Sequence, residues 1–357
     1  MPSDTAAPPP ASPAADDAAP ALGARWTNPW RHLPRVRWAV QLAYLGFTLL
    51  VGWQFSRFVA AALASGPLDV ERPPAVEGFL PIAALVGLKR FLLTRYWDQV
   101  HPAGLTLLLA ALATAFVARK GFCSWVCPVG TLSRLAEEAG KRLLWRRRGF
   151  PVVPRWLDLP LCGLKYLLLA FFAVSVFVVM PLPAAEAFLG SPYNVAADAK
   201  MLAFFTHPSS VALSVMGGLV ALSLVVKHAW CRWLCPYGAL LGLSSLASPV
   251  RIRRDPDACN DCRACTRACP AAIPVHSRLR VLSAECTGCM SCVAACTTAD
   301  CLGVTGKGQR RWSAWWVPAL VLGTMLGFWA VARLSGFWHT DVPAETFRQL
   351  YRLMGVG

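Results

Sequence analysis

Five stretches of the 357-residue chain are apolar over most of their length: approximately 38–63, 103–118, 159–180, 209–226 and 314–334. Each, with its interfacial ends, approaches the roughly 20 residues a helix needs to cross the hydrocarbon of a bilayer. The second and fourth are short and need those ends. A sixth stretch, 79–93, is interrupted by Lys89 and Arg90 and reads as an interfacial or re-entrant piece. Residues 1–22 are Ala/Pro-rich with Asp4, Asp16 and Asp17, a composition that predicts disorder. With Arg25 as the first basic residue, this segment does not read as a secretory signal peptide. The pattern divides the chain into a disordered tail (1–36), a four-helix membrane region (37–254), a cysteine-rich segment (255–302), a fifth membrane helix (312–335) and a C-terminal tail (336–357).

Two of the spans repeat one plan. HPAGLTLLLAALATAFVARKGFCSWVCPVGTL starts at His101, and HPSSVALSVMGGLVALSLVVKHAWCRWLCPYGAL starts at His207. Each runs from His-Pro through an apolar helix to C-x3-C-P-x-G, with Trp125 or Trp233 inside the motif. Two hydrophobic helices can look alike by chance, but the shared cysteine motif argues for a duplicated hairpin.

Composition agrees with a membrane protein. The chain is 56% hydrophobic and 15% charged, with 15 tryptophans, which excludes an ordinary soluble enzyme. A net charge of +16 could suggest nucleic acid, but the basic residues flank apolar spans. Segments 1–37, 119–158 and 227–313 carry 25 Lys and Arg, against 7 in 64–102, 181–208 and 335–357. The positive-inside rule then predicts a cytoplasmic N-terminus, a C-terminus on the far side of the membrane and clustered cysteines on the cytoplasmic side. Arg57 and Lys165, placed within spans near their ends, read as snorkelling side chains.

Eight of the 14 cysteines lie within 38 residues. Residues 259–270 read CNDCRACTRACP and residues 286–296 read CTGCMSCVAAC, two C-x2-C-x2-C-x3-C runs. Three thiolates on a tight loop supply three corners of a [4Fe–4S] cubane, and in two-cluster ferredoxins the fourth cysteine of each run ligates the other cluster. This predicts Cys259, Cys262, Cys265 and Cys296 on one cluster, and Cys286, Cys289, Cys292 and Cys269 on the second. Zinc is the alternative, but its sites need two separated pairs.

Cys123, Cys127, Cys231 and Cys235 form the paired motifs. Pro128 and Pro236 suit the first turn of a helix, so Cys127 and Cys235 fall near its cap, where helix dipole and neighbouring cations favour a thiolate. A redox-active dithiol, a third Fe–S or other metal centre, and simple packing are the open readings. Cys162 reads as a packing residue and Cys301 as a spare thiol. His101 and His207, at equivalent helix starts, are candidates for a quinone or haem, or merely begin helices at the interface. His228 is a weak metal candidate. The sequence contains no C-x-x-C-H, Walker A loop or G-x-G-x-x-G, so covalent haem, ATP and dinucleotide binding are not expected.

With GFCSWVCPVG, WCRWLCPYG and both cluster runs in one five-span chain, the sequence resembles the NapH/NosR-type membrane-bound polyferredoxins over about residues 37–335. The resemblance implies an all-α polytopic membrane protein with an internal hairpin repeat and a small bacterial-type 2[4Fe–4S] ferredoxin domain. It implies an inner-membrane protein passing electrons between quinone and a protein redox partner, or one supporting maturation of a metalloenzyme, for instance by handling copper. The large flavin-binding domain of NosR-like members is not expected here, nor is flavin.

Overall fold

A computed structural model describes residues 27–64, 66–146, 151, 153–306 and 310–355. The tail expectation for 1–26 lies outside them. From Asn28 onward that expectation fails: the chain is anchored, and the first helix, α1, already starts at Leu33 and runs to Leu63. Its Val51, Phe55, Phe58 and Val59 are buried while Phe47, Leu49, Leu50 and Trp53 face outward, as expected for a helix with protein on one side and lipid on the other.

After a 3₁₀ turn at Pro74–Phe79 come α2 (Pro81–Thr94) and α3 (Pro102–Ala118). The interrupted stretch 79–93 forms a helix packed on α3. Its Lys89 is buried and donates to the carbonyls of Val176 (2.9 Å) and Met180 at the end of the third span. Helix α3 is the hub of the membrane region. Its Ala103, Ala110, Ala111, Ala115 and Ala118 have no exposed surface, and small side chains let neighbouring backbones approach closely.

The first motif follows as α4 (Gly121–Trp125) and α5 (Pro128–Leu143). Next come α6 (Arg155–Val174), prolonged by a π turn to Val179, then α7 (Leu182–Leu189), α8 (Pro192–Val195), α9 (Ala197–Thr206) and α10 (Ser210–Val225). A π turn at Trp230–Leu234 leads into α11 (Pro236–Leu246).

The cysteine-rich lobe then carries strands β1 (Arg251–Arg254), β2 (Arg280–Val281), β3 (Leu302–Thr305) and β4 (Arg311–Trp312), with short helices α12 (Ala264–Arg267) and α13 (Ser291–Ala294) between them. The strands form one antiparallel sheet in the order β2-β1-β3-β4, with Ile252 opposite both Val281 and Val304. The lobe therefore begins and ends beyond the predicted 255–302. The chain closes with α14 (Trp316–Leu334) and the amphipathic α15 (Ala344–Leu353).

All five apolar stretches are helical. Among the described residues three helices, Leu33–Leu63, Trp156–Val179 and Trp316–Leu334, are long and apolar enough to cross a membrane. The pair α9–α10, bent by 73°, makes a fourth when taken as one broken span, and α3 is a shorter apolar helix.

The repeat packs reciprocally. Helix α5, which follows the first motif, lies against α10 of the second copy, and α11, which follows the second motif, lies against α3 of the first. The α5–α10 crossing is close enough that a methyl on Gly140 would stand 2.1 Å from the Leu224 carbonyl oxygen. This exchange brings the two cysteine motifs together.

Candidate metal centres

The two cluster runs fold alike. The residues flanking the second cysteine of each take positive φ: Asp261 (51°) and Arg263 (57°) around Cys262, Gly288 (61°) and Met290 (58°) around Cys289. Held at non-glycine positions, such angles cost about 1–3 kcal/mol each. The curl they produce turns successive backbone N–H groups inward, a concavity suited to an anionic centre. Cys259, Cys262, Cys265 and Cys296 line one small pocket. Cys269 lies in the electrostatic neighbourhood of Cys286, Cys289 and Cys292. The fourth cysteine of each run thus sits with the other run. Each set is made of four sulfurs and no nitrogen or oxygen donor, the donor chemistry that a [4Fe–4S] cubane takes.

The two sets differ in burial. Cys262 is exposed, whereas Cys269, Cys286, Cys289 and Cys292 are all buried. The inner loop is seated on the first C-x3-C-P motif. Trp125 Nε1 donates to Gly288 O (3.2 Å), Ser124 Oγ to Thr287 O (2.7 Å) and Arg119 to Ser283 O (2.6 Å) and Ser245 O (3.0 Å). Gly288 approaches so closely that a methyl there would meet the Ala118 carbonyl oxygen at 2.8 Å. From α1, Arg37 donates to Cys289 O (2.9 Å). Burial pushes the Cys289 thiol up, but the Arg37 charge and the surrounding donors outweigh it and hold it below its ordinary value, toward the thiolate that ligates metal. Asn28, in the predicted tail, donates to the carbonyls of Val293 (2.8 Å), Ala294 (3.2 Å) and Cys296 (3.0 Å).

Glu285, one residue before Cys286, collects cations from two elements. Lys165 Nζ lies 2.6 Å from both of its oxygens, and Lys120 Nζ lies 3.6 Å away. Lys165 is fully buried, so it does not snorkel; it ties the third span to the cluster loop. Arg57 remains exposed and stacks over Trp53.

Cys123, Cys127, Cys231 and Cys235 are gathered and face one cavity of about 980 Å3. Its apolar part is lined by Phe47, Phe79, Leu107, Phe172 and Met325, and Cys289 of the inner set lines it too. Cys127 and Cys235 are the N-caps of α5 and α11, each followed by proline, and Cys235 Sγ accepts from Gly238 N–H at 3.3 Å. At these capping positions burial opposes the pull of the helix-end N–H groups toward the thiolate. It pushes Cys127 up to about 12 and raises Cys235 and Cys123 as well.

Cys231 is the thiol held below its ordinary value. Burial raises it, but the hydrogen bond and charge of His228, with Ser133 Oγ at 3.4 Å, more than offset that. His228 Nε2 in turn pairs with Glu137 at 3.2 Å. Burial pulls His228 down, yet its partners Cys231 and Glu137 raise it to about 9. Lys120 and His228 each stand three residues before the first cysteine of their motif, and each holds a carboxylate. Neither Glu137 nor Glu285 was singled out in the sequence, since both partners come from elsewhere in the chain.

The remaining candidates are placed apart. His101 is buried between Asn194 O (2.7 Å) and Glu77 (3.6 Å), in a network with Arg72 and Asp198. His207 is exposed beside Thr206. The helix after it starts instead at Ser210, capped by Ser209. The two histidines have unlike surroundings, and neither lines the thiol cavity. Cys162 lies near Asp158 at 3.8 Å.

Two protein-family descriptions match the chain. A "4Fe-4S binding domain" matches residues 100–151 and 210–254, which are the two copies of the repeat, and a "4Fe-4S dicluster domain" matches 251–297. The "Putative electron transport protein YccM" of Escherichia coli (strain K12) is 42% identical over 90% of this chain and 91% of its own length. The "Ferredoxin-type protein NapH" of Haemophilus influenzae is 30% identical over 55% of this chain and 67% of its own. The "Regulatory protein NosR" of Pseudomonas aeruginosa is 29% identical over 78% of this chain but only 36% of its own, much longer, length. No solved structure matches. By the extent of these matches, and by the two kinds of cysteine motif they cover, the chain belongs to the family of membrane 4Fe–4S ferredoxin-type proteins that includes YccM, NapH and NosR.

Proposed function

We propose that this protein conducts single electrons between a soluble redox partner at the cytoplasmic face of a bacterial inner membrane and a quinone in the membrane. The outer cluster would be held by Cys259, Cys262, Cys265 and Cys296 and the inner one by Cys286, Cys289, Cys292 and Cys269. Each such cluster, when bound, takes up and releases one electron at a time. The chain's own contribution is to order the sites. The outer loop presents Cys262 to solvent for docking, while Arg37, Arg119, Ser124 and Trp125 pin the inner loop to the membrane region. The observation that carries the reading is the shared cavity: Cys289 and the four paired thiols line the same space, whose other walls are apolar side chains of the membrane helices. An amphipathic cavity of this kind suits a quinone head group. The excess of Lys and Arg in the segments around the cysteines supports a cytoplasmic position for them.

The test is iron and acid-labile sulfide per chain in anaerobically purified protein, with EPR through a reductive titration. About eight irons would correspond to the two clusters, and about twelve to a third centre on the paired thiols. In membrane vesicles, Cys127→Ser with Cys235→Ser should abolish electron transfer from a quinol analogue to a soluble one-electron acceptor. Iron near zero, or an undiminished rate in that variant, defeats the proposal. Stoichiometric copper lost from the same variant would instead mark a factor that handles a soft metal for another enzyme.

A further inference from the structure

Cys301 is the cysteine at the outer lobe for which the ligand sets above leave no role. It lies immediately before β3, is 4% exposed, and its carbonyl accepts the Asp255 N–H at 2.7 Å. Its side chain lines the same small pocket as Cys259, Cys262, Cys265 and Cys296, within hydrogen-bonding reach of the Cys259 thiol and of Thr298. Five thiols therefore face a space in which a cubane has four iron corners.

The backbone explains how the fifth is held. Strand pairing sets Arg254 opposite Leu302, so the chain leading into the Cys259 loop and the residue before β3 are joined by the sheet and by the Asp255–Cys301 hydrogen bond. Cys259 sits on the loop and is half-buried, whereas Cys301 is anchored at the sheet and shielded. Cys262, the most exposed ligand, is turned toward Thr297 at 3.4 Å.

We infer that Cys301 is a reserve ligand for the outer cluster, placed to replace Cys259 on the iron it binds. The inference rests on the reading of Cys259, Cys262, Cys265 and Cys296 as ligands. In the exchange Cys301 gives up its proton and bonds to iron, the Cys259–iron bond breaks, and the released Cys259 thiolate takes up a proton. No electron changes hands, and the cluster keeps its charge. The device suits an outer cluster near solvent, where a ligand thiolate is open to oxidation.

The experiment uses the full chain purified anaerobically, with Cys259→Ala, Cys262→Ala, Cys301→Ala and the Cys259→Ala/Cys301→Ala pair, reading iron, sulfide and the EPR spectrum of the reduced protein. The inner cluster's signal serves in every variant as the internal measure of folding. Wild type and Cys301→Ala should hold equal iron. Cys259→Ala should keep it while the outer cluster's EPR signal shifts, and the pair should lose about four irons. Cys262→Ala should lose or degrade the outer cluster even with Cys301 present. The inference is overturned when Cys259→Ala loses as much iron as the pair, or when Cys301→Ala alone loses the outer cluster. Absence of an outer-cluster signal from wild type would defeat the ligand reading itself, a result distinct from either.

Discussion

Gly130 and Gly238 hold the same place in C-x3-C-P-x-G, three residues after Cys127 and Cys235, yet alanine should affect them oppositely. A methyl at Gly130 would stand 2.2 Å from the Cys123 carbonyl oxygen; at Gly238 it would stand 3.5 Å from the Cys231 carbonyl oxygen, an ordinary contact. The obstructing atom at Gly130 is backbone, so no rotamer change relieves it, and α4 and α5 must separate by about 1 Å to restore normal contact. Overpacking of that kind costs about 1–3 kcal/mol, while alanine in place of glycine inside a helix contributes about 0.5–1 kcal/mol. Gly130→Ala should therefore destabilise by about 2 kcal/mol, the upper part of the net range, and Gly238→Ala should be neutral or stabilise by about 0.5 kcal/mol. Thermal unfolding of purified protein in detergent, followed by tryptophan fluorescence, gives the order of midpoints, which is the proper readout for a chain whose cofactors break two-state behaviour. The expected order is Gly130→Ala lowest, with Gly238→Ala level with or above wild type. Equal shifts of the same sign would refute the claim that the first copy is the tightly closed one.

Two other substitutions test the seating of the cluster lobe. Glu285→Gln removes the carboxylate facing buried Lys165 and Lys120 and should cost about 3 kcal/mol, as for one partner of a buried pair. Adding Lys165→Met should recover most of it, and a thermal midpoint of Glu285→Gln level with wild type would show that the pair does not anchor the lobe. Asn28→Ala strips one amide from three carbonyls around α13, so chelator-induced bleaching of the cluster absorbance should accelerate severalfold. An unchanged bleaching rate would remove Asn28 from the account.

The sequence alone determined the chemistry and the membrane habit, because both are written in local patterns. Thiol spacing within one loop limits which metal centre a run can hold, and apolar length limits which segments can cross a bilayer. The five stretches became helices, and the Cys-Pro pairs became helix caps, since each depends on neighbours a few residues away. The duplication was also visible, but its meaning was not. Only the exchange of α5 onto α10 and of α11 onto α3 gathers four thiols from motifs 108 residues apart.

The same limit explains the charges. Lys165 looked like a snorkelling residue because its partner, Glu285, is 120 residues away. Cys127 and Cys235 looked poised as thiolates because the cap is local, whereas burial, which raises them, is a property of the packed chain. His228 makes Cys231 the exception only once α5 brings Glu137 and Ser133 to it. Cys301 looked spare by spacing and acquired four thiol neighbours through a strand pairing. Local geometry follows from sequence neighbours, but which buried charges and thiols meet depends on long-range packing, where burial and partner together set the chemistry of each group.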